Sequence, residues 1–445
     1  MRKYYVFAIL LILLFTITGC QQKPKETFVY DEAQILALSN RYAEEMAKAQ
    51  FDGTIKVFSA TMSKALSKDA LIGAWKSVAD PIGAYQTLYK TSVEYKNDRA
   101  VSTVILQYEL NGIQVKLTWD HDYKLEGLWL NYFSIEEPLQ ITDSYEEQEI
   151  EVGTGEEKLQ GILTLPVGKE NPPVVILVHG SGPQDMHETV GAGNQPFKDL
   201  AQGLAAEGIA SIRYHKRYYQ YPPAAEDQAA LHQITVQKEV TDDVMAAIAL
   251  AKEMLPHSEI SIIGHSLGGM LAPYLATENP EVTHIVIMAG TPRKLEDIMV
   301  DQTKDALALN TTLSATDKAT YLAQVQQEAA KIKKLTEADL GTLVLQQPAS
   351  YWLSLNAIDT GKLISELEIP ILILQGDADF QVKADVDFLA WQDYLGTHMN
   401  VTYKLYENLN HLFMPSNGKL DVSEYNTPGN IPDQVILDIA TFLKK

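Results

Sequence analysis

Ile260-Ser261-Ile262-Ile263-Gly264-His265-Ser266-Leu267-Gly268-Gly269 decides the reading of this chain. An apolar, β-branched run ends at Gly264, and Gly269-Met270-Leu271-Ala272 after it is good helix material. That order predicts a strand, a sharp turn with Ser266 at its apex, and a helix, the setting in which G-x-S-x-G carries meaning. The flanking glycines suit a crowded turn that holds the serine in a strained conformation. With Gly and Ser each at roughly 7% usage, about 0.1 such matches would arise by chance in a chain this long. The strand-to-helix setting therefore adds weight that the pattern alone lacks.

Two further strands follow with chemistry at their ends. The apolar run 369–375 leads into Gly376-Asp377-Ala378-Asp379-Phe380-Gln381-Val382, and 401–406 leads into Glu407-Asn408-Leu409-Asn410-His411. A serine, a carboxylate and an imidazole thus each follow the C-terminal end of a predicted strand, in the order serine, acid, histidine. In an open parallel sheet that edge is where ligands bind. Asp377 and Asp379 both qualify as the acid. His398, the nearest rival to His411, precedes the last strand and reads as the end of a helix.

The chain here resembles the α/β-hydrolase superfamily, and within it the bacterial esterase branch. The resemblance rests on His179-Gly180-Ser181-Gly182-Pro183-Gln184-Asp185 after the third strand of this region, on Gly264 to Gly269, and on Gly376 to Val382. It covers roughly residues 145–445. It implies an α/β fold, Ser266 as nucleophile, His411 as base and Asp379 as the acid, with acyl transfer through an acyl-enzyme. The oxyanion donors it implies are the backbone N–H groups of Leu267 and Ser181. Similar proteins carry R-Y-D-K-R where this chain has Arg213-Tyr214-His215-Lys216-Arg217, which puts in doubt any contact the missing aspartate makes. His179 reads as a loop-shaping residue and His265 as a packing residue. His215, Lys216 and Arg217 read as a solvated loop or scaffold ion pairs, with anion binding as the competing role. Histidine spacing gives no support to a metal site, and no cofactor is implied.

Strands alternate with helices on both sides of these motifs: predicted strands 147–152, 158–166, 174–178, 209–214 and 284–288, and helices 195–207, 235–255 and 266–277. This pattern predicts a mainly parallel sheet covered on both faces, preceded by an antiparallel pair. About eighty residues separate the strand ending at Ala289 from the one starting at Ile369, far more than a crossover needs. Helical spacing over 294–309, 315–334 and 336–345 predicts a cap, 291–360, above the catalytic edge. That cap and the loop 218–228 are expected to set acyl preference.

The first 140 residues follow other rules. Met1-Arg2-Lys3 and the apolar run 4–15 read as a signal peptide, too short for a spanning helix. Ile17-Thr18-Gly19-Cys20 resembles a bacterial lipobox, which implies cleavage after residue 19, lipid attachment at Cys20 and a tether over 20–27. Cys20 is the only cysteine, so no intrachain disulfide is possible. Residues 28–140 open with helical spacing over 31–50 and 59–68, and a third helix begins at Ser67. Four β-rich segments follow, 87–97, 100–110, 113–120 and 123–133, with hairpin turns at Asn97-Asp98 and Asn111-Gly112. A small α+β domain results, which resembles the cone-shaped domains related to nuclear transport factor 2. Its Trp119, Trp129 and Tyr132 read as core, with a ligand pocket as the alternative.

The chain of 445 residues carries a formal charge of −22, more acidic still once Arg2 and Lys3 leave with the signal. Such a surface argues against nucleic-acid partners and against adhesion to anionic lipid by charge. The expected protein is a membrane-tethered, extracytoplasmic serine esterase acting on small or medium acyl esters. An exported peptidase of the same fold and a silent binding lipoprotein are the competing readings.

Overall fold

A computed structural model describes residues 29–445 apart from 97, 136–137, 224–231 and 397. The signal peptide, the tether and Cys20 lie outside the described residues, as do Asn97 of the first predicted hairpin turn and residues 224–228 of the predicted loop. The chain forms two compact units. One runs to about residue 137 and also includes Gly191–Gly193 and Tyr425–Pro428; the other comprises Pro138–Val190, Asn194–Glu424 and Gly429–Lys445.

In the first unit, helix Glu32–Ala47 starts at Asp31, whose carboxylate accepts the N–H of Gln34 at 3.1 Å. Ser59 and Ser67 cap helices Ala60–Ala65 and Lys68–Ala79 in the same way, relieving N–H groups that have no partner within the helix. Strands β1 (Tyr85–Lys96), β2 (Arg99–Tyr108), β3 (Gly112–Trp119) and β4 (Leu125–Phe133) form an antiparallel meander in sequence order. The expected tight turn between β2 and β3 forms slightly earlier in the chain, around Glu109-Leu110, where Tyr108 donates its N–H to the Asn111 carbonyl at 2.9 Å. Gly112 already pairs with Phe133 as the first residue of β3, and a Cβ there would come within 2.7 Å of the Phe133 carbonyl oxygen. Trp119 is fully buried, and its indole N–H faces the hydroxyls of Ser39 and Ser102 at 3.2 and 3.0 Å. Trp129, by contrast, is 52% exposed. Of the three aromatics considered as core, Trp119 alone is fully enclosed.

The second unit is built on an eight-stranded sheet. In chain order its strands are β5 (Tyr145–Val152), β6 (Leu159–Pro166), β7 (Val174–Val178), β8 (Ala210–Tyr214), β9 (Ile260–His265) and β10 (Val282–Met288). After a two-residue ribbon, β11 (Leu343–Val344) and β12 (Gln347–Pro348), come β13 (Ile371–Gly376) and β14 (Val401–Tyr406). The spatial order is β14-β13-β10-β9-β7-β8-β6-β5. Pairing is parallel from β14 to β8 and antiparallel where β6 meets β8 and β5. The central strands β7, β9 and β13 are buried at every position, as strands covered on both faces require.

Between β10 and β13 lie helices Leu295–Leu309, Ala315–Ile332, Ala349–Asn356 and Thr360–Glu366. The helix expected over 336–345 does not form. Gly341, Leu345 and Gln346 all have positive φ (100°, 45° and 62°), so the chain folds into the β11–β12 ribbon. Trp352 fixes this ribbon by donating its indole N–H to the Val344 carbonyl at 2.8 Å. Helix Leu295–Leu309 is tied to the loop after β13: Gln302 donates to the Gln381 carbonyl at 3.1 Å, and Lys383 pairs with Asp305.

Candidate active site

Ser266 sits between β9 and helix Leu267–Glu278 with φ 54° and ψ −115°, a conformation that costs a non-glycine residue energy. The turn explains its glycines. A Cβ on Gly264 would lie 2.3 Å from the Gly268 carbonyl oxygen, and one on Gly268 would lie 2.1 Å from that of Val178. Neither position admits a side chain. The elbow is anchored by the Ser266 N–H, which donates to the Met288 carbonyl at 2.9 Å. Leu267 is the first residue of the helix, so its N–H has no acceptor within the helix.

His411 and Asp379, both 5% exposed, meet with Nδ1 2.7 Å from Oδ2. The carboxylate is immobilised from every side. Its Oδ2 also accepts from Gln375 Nε2 at 2.9 Å, and its Oδ1 accepts the N–H groups of Gln381 and Val382 at 2.8 and 3.0 Å. Asp377 is exposed and does other work: it accepts the Asn408 N–H at 2.6 Å, bracing the loop that carries His411. His398 is exposed just beyond helix Leu389–Leu395, with its N–H on the Leu395 carbonyl at 3.0 Å.

The loop after β7 borders the serine. A Cβ on Gly180 would lie 3.2 Å from Ser266 Cβ and 3.7 Å from its Oγ, so this backbone abuts the serine. His179 shapes the loop: its Nε2–H donates to the Asp185 carbonyl at 2.9 Å. Burial pushes its imidazole down to about 4, keeping the ring neutral.

His265 does more than the packing expected of it. Its Nε2 faces the His411 carbonyl oxygen at 2.8 Å, and its Nδ1 lies 2.9 Å from Glu188 Oε2, off the line of an ideal hydrogen bond. A carbonyl only accepts, so Nε2 carries a proton, and the Glu188 carboxylate beside Nδ1 favours a second proton there. Burial by itself would push the ring down, but the Glu188 charge overrides it and raises the imidazole above its ordinary value. Burial likewise works to raise Glu188, yet His265 first and the Gly180 N–H among the rest hold it below the usual carboxylate range. The second oxygen of Glu188 takes that Gly180 N–H at 2.7 Å. One buried pair therefore touches the strand that leads to Ser266, the His411 loop and the Gly180 loop. No motif pointed to Glu188; its positive φ of 55° is visible only in three dimensions.

The His215-Lys216-Arg217 segment resolves into scaffold contacts. Arg217 pairs with Asp243, Lys216 with Glu239, and His215 Nδ1 accepts the Met186 N–H at 3.0 Å where similar proteins have aspartate. A cleft of about 850 Å³ includes Asp377, Asp379, Phe380, Phe388 and Leu389 in its wall, but neither Ser266 nor His411. It adjoins the acid loop, not the serine.

The α/β-hydrolase fold family matches residues 173–412, more than half of the chain, and the protein belongs to it. Residues 39–128 match a family described as a protein of unknown function (DUF3887). The chain is 29% identical over 409 residues to Esterase EstD of Thermotoga maritima, covering 91% of this chain and 94% of that protein. Among solved structures it is similar to Est1E from Butyrivibrio proteoclasticus, at 16% identity, TM-score 0.42, and coverage of 66% of this chain and 98% of that one. The Pyrococcus furiosus esterase Pf2001 is similar at 15% identity, TM-score 0.41, and coverage of 67% and 91%. Fold and relatives together make the second unit a carboxylesterase-like hydrolase.

Proposed function

We propose that the protein hydrolyses small or medium carboxylic esters through Ser266, His411 and Asp379. The observation that carries this reading is the buried 2.7 Å contact between His411 Nδ1 and Asp379 Oδ2 at the same sheet edge as the Ser266 elbow. Asp379 fixes the ring so that Nε2 accepts the serine proton. Ser266 Oγ then adds to the acyl carbonyl carbon, and the oxyanion takes hydrogen bonds from the N–H groups of Leu267 and Ser181. His411 returns the proton to the departing alcohol as the carbon–oxygen bond breaks. A water molecule, deprotonated by the same ring, releases the acid and restores the serine.

The reading extends to place and architecture. Cleavage after residue 19 and lipid on Cys20 would hold the enzyme outside the cytoplasmic membrane, which takes at least two acyl chains to be stable. The helices and antiparallel sheet of residues 28–140 support likeness to the domains related to nuclear transport factor 2. The insertion within 291–360, tied to the acid loop at Gln381, would shape the acyl pocket.

A fluorophosphonate probe followed by ester and amide panels tests this reading. The expected result is labelling that Ser266→Ala abolishes, with turnover of acyl esters lost by about 10⁶-fold in that variant. Turnover of aminoacyl amides alone would make the protein a peptidase. A folded wild type that neither labels nor turns over either panel would leave only a binding body.

A further inference from the structure

The Gly180–Ser181 peptide is held by a buried cation. Lys216 Nζ donates to the Gly180 carbonyl oxygen at 2.9 Å and lies 3.0 Å from Glu239 Oε1, with the two side chains 3% and 8% exposed. Enclosing an ammonium group away from water is costly unless it is paired and hydrogen-bonded, and both conditions are met here.

The peptide bond is trans, so its carbonyl and its N–H point in opposite directions. Fixing the Gly180 oxygen on Lys216 therefore fixes the direction of the Ser181 N–H. The preceding peptide is fixed from the other side, because Glu188 Oε1 accepts the Gly180 N–H at 2.7 Å. Two successive peptide groups are thus gripped by one cation and one anion through charge-assisted bonds, stronger than neutral ones. Between them lies the Gly180 backbone that abuts Ser266. A positive charge on the carbonyl oxygen also polarises the peptide, making the N–H at its far end a better donor.

We infer that Lys216 is a positioning residue of the oxyanion site: it aims and polarises the Gly180–Ser181 peptide toward the negative charge that forms on the substrate oxygen. Glu239 is its counter-ion. The inference rests on the ester-hydrolase reading above. It assigns Lys216 a place in turnover without contact with the substrate.

The test compares the wild type with Lys216→Met and with Lys216→Met/Glu239→Gln, which removes both charges and leaves no unpaired carboxylate to disrupt folding. Each protein, its fold checked by circular dichroism, is assayed on p-nitrophenyl acyl esters and titrated with a trifluoromethyl ketone, whose serine adduct carries an oxyanion. Removing one oxyanion donor costs about 10²–10³ in kcat, so a weakened donor is expected to cost about 10- to 100-fold. KM should stay within about threefold, because the interaction strengthens only as charge develops. Affinity for the ketone should fall by the same factor as kcat. A folded double variant with wild-type kcat, or one that loses kcat while keeping full ketone affinity, overturns the role given to Lys216 and leaves the ester-hydrolase reading standing. A folded wild type that neither labels with fluorophosphonate nor turns over ester overturns that reading, and the inference with it.

Discussion

In the loops after β13 and β14, a carboxylate pinned by two backbone amides and a glutamine faces an imidazole. In the loop after β7, a peptide beside Ser266 is gripped by two buried ion pairs, Glu188–His265 and Lys216–Glu239. The two sides have different tasks. If His411 gains and loses a proton in each turnover, it is oriented by the Asp379 carboxylate, which is itself held by fixed dipoles, the Gln381 and Val382 N–H groups and the Gln375 amide. The Gly180 loop keeps one protonation state, so full charges can hold it, provided they cancel. They do: two cations and two anions form this support, and each is matched within about 3 Å, where an unmatched buried charge would cost several kcal/mol.

If the imidazole side works through orientation, replacing its acid should give the largest effect. Asp379→Asn keeps the shape but loses the acceptor that sets the His411 tautomer, and turnover should fall by about 10⁴-fold. Asp377→Asn, at a carboxylate that accepts the Asn408 N–H, should stay within a few-fold of wild type. Initial rates of ester hydrolysis for the two variants decide the matter. The reverse pattern would move the acid to Asp377 and dissolve the contrast between the two sides.

The difference between the sides also explains what the amino-acid order reveals. Gly264, Ser266 and Gly268 must be neighbours in sequence because their constraint is one tight turn, so a strand-to-helix transition betrays them. Asp379 and His411 are marked by their place after strands. Glu188, Lys216 and Glu239 come from three separate segments: the motif around Arg213 to Arg217 marks Lys216 without naming its partner, and nothing in the local pattern separates Glu188 and Glu239 from ordinary surface charges. His265 shows the limit most clearly. Its position next to the nucleophile was plain, yet its charge depends on a carboxylate 77 positions earlier in the chain. The insertion was hard for another reason: the apolar spacing of 336–345 suits a helix, but the left-handed backbone at Leu345 and Gln346 turns it back into a ribbon against Trp352.

Glu188→Gln probes the charged side. Glutamine still offers an oxygen to the Gly180 N–H, so the expected loss is that of the ion pair, about 3 kcal/mol measured by urea unfolding at neutral pH. The pH dependence carries a sign. His265 is raised above its ordinary 6.5 in the folded protein, so its share of stability is full below 6.5 and is lost as pH rises through the raised value. Glu188 is lowered below its ordinary 4.5, so the same interaction is present above 4.5 and is lost as pH falls through the lowered value. The difference in stability between wild type and Glu188→Gln should therefore be greatest between these limits and shrink on both flanks. A difference independent of pH would mean that the pair contributes packing and not charge.

The smallest effect concerns His179, which belongs to the same loop but is neutral. Its folded value of about 4 lies below the ordinary 6.5, so between them the unfolded chain binds a proton that the folded chain refuses. Stability must then fall as pH drops through this window, on the order of 2 kcal/mol by about pH 4.5, and none of this loss arises above 6.5. His179→Gln keeps a donor for the Asp185 carbonyl but cannot take up the proton. It should start less stable at pH 7, because the ring packing against Phe197 and Tyr214 is gone, yet decline less steeply on acidification. Urea midpoints of both proteins across the window compare the slopes directly. Parallel slopes would show that His179 is protonated as readily in the folded loop as in the unfolded chain, and that the loop beside Ser266 admits water. The premise that buried charges hold a water-free loop beside Ser266 would then fail.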